Sequence, residues 1–440
     1  MKHNKSIKNI SRRQALKLTA GGAIALLSGC AVNPVTGQQQ FMLVSQQQEI
    51  QLDKKNSPHQ FSADYGPVQD KAVNRYVEQV GQSLAASSHR PDMPYNFRCV
   101  NANYVNAYAF PGGSIACTRG IMLTLENEAE LAALMGHEIA HVNARHTASR
   151  MSSSMATQGI LAIGVGVAAT QDRDLVPLVA GLGGIGAGLL LASYSRSDER
   201  QADSLGMEYM DKVGYDPEGM VGLMDELNKM HKSQPSFVQQ MFASHPMSEE
   251  RYATAVKRRK TTYAGSKGKL LRERYMDNIA SIRKIRPAIE EMQKGEGAMR
   301  KKNFNAAAEH FAKALRIAPG DYAGLMLMSK CQMAQGNKKQ GLQYAERAKA
   351  NYPGEAQALH MVGMLSLENK QFEQALANFE EYEKALPGNP MTTFFKGISY
   401  EALGNRDMAA NEYYRFLQIN RQGSYAKHAF NRLNSWGYLE

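Results

Sequence analysis

Residues 137–141 read His-Glu-Ile-Ala-His, and the segment Glu199-Arg-Gln-Ala-Asp203 follows later in the chain. Two histidines one turn apart on one helix face can both reach a single metal ion. Glu138 lies about 100° round such a helix, beside the metal, where a base for an activated water belongs. Glu199, on a second helix, supplies a further carboxylate. His137, His141 and Glu199 then form the protein ligand set for one zinc ion. Asp203 shares a face with Glu199 and is placed to hold the free ring nitrogen of a ligand histidine. Spacing alone does not say which one. Surface histidines or a solvated acidic face would explain either half alone; both halves in this order point to a metal centre. A metzincin extension is excluded, because it wants Gly at 144 and His at 147 and the chain has Ala144 and Thr147. His146, one place off, reads as an exposed helix residue.

The elements that position these residues are legible. Asn127 caps the first helix and Glu130 completes a capping-box-like start. Leu131, Leu134, Met135 and Val142 recur at helical spacing, with no break before Met151-Ser-Ser-Ser154. A second helix is predicted over about 197–213, with Gly214 as its stop. Ala202 and Gly206 are small enough to let the two helices approach. Tyr95 to Asn101 alternates like a strand, and Val105–Phe110 with Ser114–Thr118 reads as a hairpin around Pro111-Gly-Gly113. Past Pro235, in a loop-like stretch, stand Ser244-His-Pro246 and Arg251. Peptide hydrolysis develops an oxyanion that needs a donor besides the metal, and neither ligand helix offers one. His245 or Arg251 is the candidate. Alternatively, a neutral His245 could occupy the open metal position and hold the site latent.

The segments Asn106-Ala-Tyr-Ala-Phe-Pro-Gly-Gly113, Gly136-His-Glu-Ile-Ala-His-Val142, Asp198-Glu-Arg-Gln-Ala-Asp-Ser-Leu-Gly206 and Ser244-His-Pro246 resemble family forty-eight of the metallopeptidases. These are gluzincins of the HtpX and BepA type, and the tail described below resembles the repeat-bearing branch. The resemblance implies a zinc endopeptidase of cell-envelope protein quality control, acting on protein or peptide substrates. By analogy Asp203 holds His137. The hairpin is then expected at the rim of the cleft, where an extended peptide can add to a sheet edge. Asn106, Gly112, Gly113, Ser114 and Ile115 become the substrate-binding candidates; an ordinary structural hairpin is the alternative. The match also supports a role for His245 and Arg251.

Composition sets the frame. The chain has 440 residues, 43% of them hydrophobic, and a formal net charge of +11. That suffices for two or three domains with cores. The basic residues are spread out, apart from the leader and a run from Lys257 through Arg274, and no nucleic-acid module accompanies them. We read that run as a solvated linker helix, with an anionic lipid surface as the other reading. The leader carries Lys2, Lys5, Lys8, Arg12, Arg13 and Lys17, a short apolar stretch from Leu18 to Leu27, then Leu27-Ser-Gly-Cys30. This order predicts cleavage before Cys30 and a lipid on its thiol. Ser11-Arg-Arg is similar to a twin-arginine signal, though Ala15 departs from it; the general secretion route is the other option. Ala31 in place of Asp favours the outer membrane, facing the periplasm. Cys99 and Cys117 lie on neighbouring predicted strands and could pair, or stay as ordinary buried thiols, as Cys331 would. The apolar runs Gly159–Ala169 and Leu175–Ala192 read as buried helices or a flap, since Pro177 and several glycines oppose a membrane span.

The tail repeats. Pro319, Pro353 and Pro387 keep a 34-residue period, as do Phe311, Ala345, Phe379 and Tyr413, and Gly336, Lys370 and Gly404 mark turns. This is the tetratricopeptide pattern of stacked helix pairs, whose concave face is expected to bind a protein partner. The fold class is therefore α+β: a zincin-type metallopeptidase domain, mainly helical with a small sheet, then an all-α repeat array. The expected divisions are 1–30 leader, 31–260 peptidase, 261–287 basic linker and 288–440 repeats. Two functions follow: a zinc endopeptidase that recruits through its repeats, or a repeat-based adaptor with a latent protease.

Overall fold

The computed structural model describes residues 30–158, 193–233 and 235–439. The leader before Cys30 and both apolar runs lie outside the described residues. Among the described helices none is long and apolar enough to cross a membrane.

Strands β1 (Cys30–Val32) and β2 (Gln39–Phe41) pair antiparallel. Helices α1 (Gln46–Ala63) and α2 (Lys71–Ala86) lead into β3 (Asn96–Val100), β4 (Ala107–Ala109) and β5 (Ser114–Thr118). These form one sheet in the order β3-β5-β4, with β5 parallel to β3 and antiparallel to β4. Gly113, at φ 106, makes the left-handed step that the hairpin needs. Cys99 and Cys117 face each other across β3 and β5; both are buried free thiols.

Next come α3 (Arg119–Met122), α4 (Glu128–Asn143), α5 (His146–Gln158), α6 (Arg196–Lys212), α7 (Glu218–Ser233), α8 (Pro235–Ser244) and α9 (Glu249–Lys260). Helix α4 is buried along its whole length, packed against α2, α6, α7 and β4. Its apolar residues wrap all sides, which is what a central helix requires. Asn127 caps it as expected, accepting from the Glu130 N–H. Ser195 caps α6, and Gly214 follows that helix at φ 83. The two helices meet at glycines. A Cβ on Gly206 would stand 3.1 Å from the His137 nitrogen, and one on Gly136 would stand 3.2 Å from the Gly206 Cα.

Two expectations fail here. Helix α4 does not run to Met151. Arg145 takes a left-handed φ of 58, with its Nε on Glu49 Oε1 at 3.1 Å and its NH2 on the Val44 carbonyl at 2.6 Å. The chain turns and restarts as α5. The basic run is not one linker helix either, although most of its basic side chains are exposed as expected. It breaks into α9, α10 (Arg272–Asn278) and α11 (Ala280–Lys284), and Tyr275, Ile279 and Ile282 join the main core. Tyr275 donates to the Met122 carbonyl at 2.6 Å, Arg274 pairs with buried Glu128, and Arg259 with Asp216 at 2.8 Å. Opposite charges on the peptidase domain pull the run inward.

The tail forms four helix pairs and a closing helix. The pairs are α12 (Arg286–Arg300) with α13 (Phe304–Ile317), α14 (Tyr322–Ala334) with α15 (Lys338–Asn351), α16 (Ala356–Glu368) with α17 (Phe372–Ala385), and α18 (Pro390–Ala402) with α19 (Arg406–Ile419); α20 (Gly423–Ser435) ends the array. The period has a steric cause. A Cβ on Gly295, Gly363 or Gly397 would stand 2.4, 2.7 or 2.7 Å from the ring of Phe311, Phe379 or Tyr413. Gly336, Lys370 and Gly404 sit at φ 81, 60 and 79 inside the pair turns. The first helices of the first three pairs bond to the N-terminal domain. Gln293 donates to the Asn103 carbonyl at 2.7 Å, Arg119 pairs with Asp321 at 2.6 Å, and Gln357 donates to the Ser62 carbonyl at 3.0 Å.

Candidate metal centre

Helix α4 presents His137 and His141 with their Nε2 atoms 3.0 Å apart. Helix α6 brings Glu199, with Oε1 3.3 Å from His141 Nε2 and Oε2 3.6 Å from His137 Nε2. A fourth donor arrives from the end of α8. His245 Nδ1 lies 3.1 Å from Glu199 Oε1 and 3.3 Å from His137 Nε2. These four side chains are buried, and their donor atoms lie within 4.8 Å of one another. Lone pairs that converge without enough protons between them are satisfied by a cation. Three imidazole nitrogens and a carboxylate oxygen suit four-coordinate zinc, so the residues present fit that ion. The stretch after Pro235 is not loop-like as expected: α8 runs to Ser244, and His245 is the first residue past its end, its N–H bonding back to the Met241 carbonyl at 2.7 Å.

The outer ring nitrogens are held too. Asp203 Oδ1 stands 3.0 Å from His137 Nδ1, the partner that analogy suggested. His146 Nδ1 lies 2.8 Å from His141 Nδ1, and its Nε2 lies 3.0 Å from Gln201 Oε1. His146 is 4% exposed, so the reading of it as an exposed residue is wrong. On an unbroken helix it would point away from His141. The left-handed Arg145 swings it back, and periodicity carries no sign of that turn. Tyr194 was also missed. Its ring stacks on His141 at 3.7 Å and 22°, and its hydroxyl contacts Thr147 Oγ1 at 3.1 Å. The available cue was an aromatic directly before the capping Ser195 of the ligand helix.

Arg251 does not stand free to meet an oxyanion. Its Nε donates to Asp203 Oδ2 and its NH2 to Asp203 Oδ1, both at 2.7 Å. Its NH1 donates to the Pro246 carbonyl at 2.9 Å and lies 2.6 Å from Glu199 Oε2. Every arm of the guanidinium is engaged. Arg251 ties together the carboxylate behind His137, the cluster carboxylate of Glu199 and the segment that bears His245.

Glu138 is fully buried, and neither carboxylate oxygen has a hydrogen-bond partner among the described residues. His245 Nε2 stands 3.7 Å from its Oε1. Burial raises the Glu138 carboxyl above the ordinary range, against the pull of His245 and His137. Burial also acts on Glu199, yet His245, His137 and His141 hold that carboxyl well below its usual value. Burial drives the His141 ring well below the ordinary histidine range. For His137 burial opposes the charge, but Glu199 and Asp203 lift the ring above its usual value. Burial pushes the Tyr194 hydroxyl up to about 12.

The hairpin meets the site through fewer residues than expected. Ala109, Phe110 and Pro111 line a narrow space with His141, Thr147 and Tyr194. Ser114 and Ile115 lie on β5, the central strand, so they offer no free edge. The Ser114 N–H is taken by Asp53 Oδ2 at 2.8 Å. Gly112 faces α1, where a Cβ would stand 2.5 Å from the Asp53 Cβ, and Gly113 serves the turn. Asn106 closes the hairpin, its carbonyl accepting from the Thr118 N–H at 3.0 Å. The edge is that of β4. Asn106 and Phe110 bond to β5, which turns the peptide groups of Ala107 and Ala109 outward. The correction has one cause: β3 pairs parallel with β5 and occupies its other side.

Residues 71–259 match Peptidase family M48, and residues 298–365 match the tetratricopeptide repeat. The chain carries an M48 peptidase domain followed by a tetratricopeptide array. It is 28% identical over 194 residues to the beta-barrel assembly-enhancing protease of Yersinia pestis, covering 43% of this chain and 39% of that one. The beta-barrel assembly-enhancing protease of Escherichia coli K12 is 27% identical over 195 residues, covering 43% and 39%. The metalloprotease YcaL of the same strain is 28% identical over 204 residues, covering 46% of this chain and 72% of its own. The match thus spans about two fifths of the length of the first two relatives.

Proposed function

We propose that this chain is a zinc endopeptidase of the cell envelope, held latent by His245. The observation that carries the reading is the convergence of His137, His141, Glu199 and His245 beside a buried Glu138 carboxylate that has no hydrogen bond among the described residues. His137, His141 and Glu199 would hold the ion. Zinc, when bound, supplies a Lewis acid that polarises a carbonyl and acidifies water. Glu138 takes the proton of the attacking water at its carboxylate and passes it to the departing amide nitrogen. Asp203 and His146 keep both imidazoles turned with Nε2 inward. Arg251 is a positioning residue. His245 Nδ1 points into the ligand cluster, which supports the fourth-ligand role over the oxyanion role. An extended substrate adds along β4 once His245 has moved aside.

The leader supports export and a lipid on Cys30, with the domain on the periplasmic side of the outer membrane. The names of two relatives tie those proteins to beta-barrel assembly, which supports unassembled proteins of the envelope as substrates here. The test measures zinc content and casein cleavage for wild type, Glu138→Gln and His245→Ala. All three should hold zinc, His245→Ala should cut faster than wild type, and Glu138→Gln should cut far more slowly. The adaptor reading, which the filled fourth position also favours, prevails if His245→Ala binds zinc and leaves casein intact. For the anchor, Cys30→Ser should abolish lipid labelling and release the protein from membranes.

A further inference from the structure

His245 reaches the metal cluster from a short segment that is clamped on both sides. The Pro246 carbonyl accepts from Arg251 NH1 at 2.9 Å, and the Ser244 carbonyl accepts from the Tyr194 N–H at 2.9 Å. Among the described residues these are the two bonds that tie the backbone of Ser244–Pro246 to elements beyond α8. The clamps differ in what else they hold. Arg251 also engages Asp203 and Glu199, so it belongs to the framework whether or not His245 is in place. The Tyr194 N–H serves the segment alone.

The side chain of Tyr194 is what keeps that N–H in place. Its ring stacks on His141 and lies 5.2 Å from the ring of His245, at 41°. Its hydroxyl contacts Thr147 Oγ1 at 3.1 Å, and the Arg150 guanidinium lies 4.0 Å from the ring centroid. The next residue, Ser195, caps α6. Stacked aromatic pairs add to what burial alone supplies, so the ring is held at a fixed point on α4 and α5. A fixed ring fixes the peptide group beside it. The bond to Ser244 therefore transmits the position of α4 to the segment that carries His245.

We propose that Tyr194 is a positioning residue that latches His245 into the metal cluster, through its ring on His141 and its N–H on Ser244. The inference rests on the latent reading of the site. Substrate must then compete with His245, and the apparent KM is raised in proportion to how rarely His245 is out of place. Loosening the latch lowers KM and leaves kcat alone. A ring that only packed the site would act the other way on removal: zinc, kcat or both would fall.

The test compares the full zinc-loaded chain with Tyr194→Leu, Tyr194→Ala, His245→Ala and the double variant Tyr194→Leu with His245→Ala. Casein cleavage gives KM and kcat. Hydrogen exchange over residues 242–248, read by mass spectrometry, reports the hold on the segment without any turnover. Both Tyr194 variants should keep one zinc per chain, lower KM roughly two- to tenfold at the same kcat, and speed exchange over 242–248. The double variant should match His245→Ala in KM to within about twofold, because without His245 there is nothing left to latch. Wild-type KM and exchange in both Tyr194 variants would overturn the proposal. Lost zinc or reduced kcat in both would overturn it too, and make Tyr194 a support for His141. A double variant with a KM well below that of His245→Ala would show that the ring obstructs substrate directly, which also overturns it. An unchanged KM in His245→Ala sinks the latent reading instead, and the exchange result still decides whether Tyr194 holds the segment.

Discussion

At the residue scale, each ring nitrogen of His137 and His141 has a separate assignment: Nε2 turns to the cluster and Nδ1 to a fixed partner. Glu138 stands apart from that framework, so it can be changed without dismantling it. Glu138→Gln should keep one zinc per chain and lower casein turnover by about 10²–10⁴-fold, the usual worth of a general base. Stoichiometric zinc by elemental analysis beside residual turnover checks both halves. Arg251 makes the opposite prediction. Arg251→Gln removes the bracket on Asp203 and Glu199, so zinc affinity should fall roughly 10–100-fold in a chelator competition. Unchanged affinity with reduced turnover would restore the oxyanion role. The residue types were legible in sequence because metal ligation fixes both type and spacing. Arg251 and His146 were not, because their work depends on where one left-handed residue and one helix end aim them.

At the element scale, the site exists because α4 and α6 touch through Gly136 and Gly206. No side chain separates them, so ligands from both helices reach one point. Gly206→Val should force the helices apart. Overpacking of this kind costs about 1–3 kcal/mol. The expected result is a lower midpoint in denaturant together with loss of zinc. Loss of stability with full zinc binding would show that the crossing does not set the ligand geometry. The small residues and the caps were readable at these positions, since close approach and orphan N–H groups leave local marks. The sheet order was not. That β3 pairs parallel with β5 is a long-range choice, and it makes β5, with Ser114 and Ile115, the central strand and β4 the outer one.

At the scale of the whole molecule, the repeats are part of the body of the peptidase. The period of Pro319, Pro353 and Pro387 foretold the stacked pairs but not what their inner helices would cover, because a repeat pattern encodes only contacts between neighbours. The seam is polar and buried. Lys330 Nζ stands 4.5 Å from the centroid of the Tyr65 ring and donates to its hydroxyl at 3.2 Å. Asp321 both caps α14 and pairs with Arg119, their side chains 7% and 3% exposed. Arg119 also donates to Asn103 Oδ1, the residue whose carbonyl receives Gln293. Removing one partner of a buried pair strands the other, at about 3–5 kcal/mol. Arg119→Met should therefore loosen the array, visible as earlier protease cleavage between the peptidase domain and α14 and as a separate unfolding step. The double change Arg119→Met with Asp321→Asn removes the stranded charge and should recover much of that loss. If the double variant is as unstable as the sum of the single ones, the two residues are uncoupled and the seam is held by apolar packing instead.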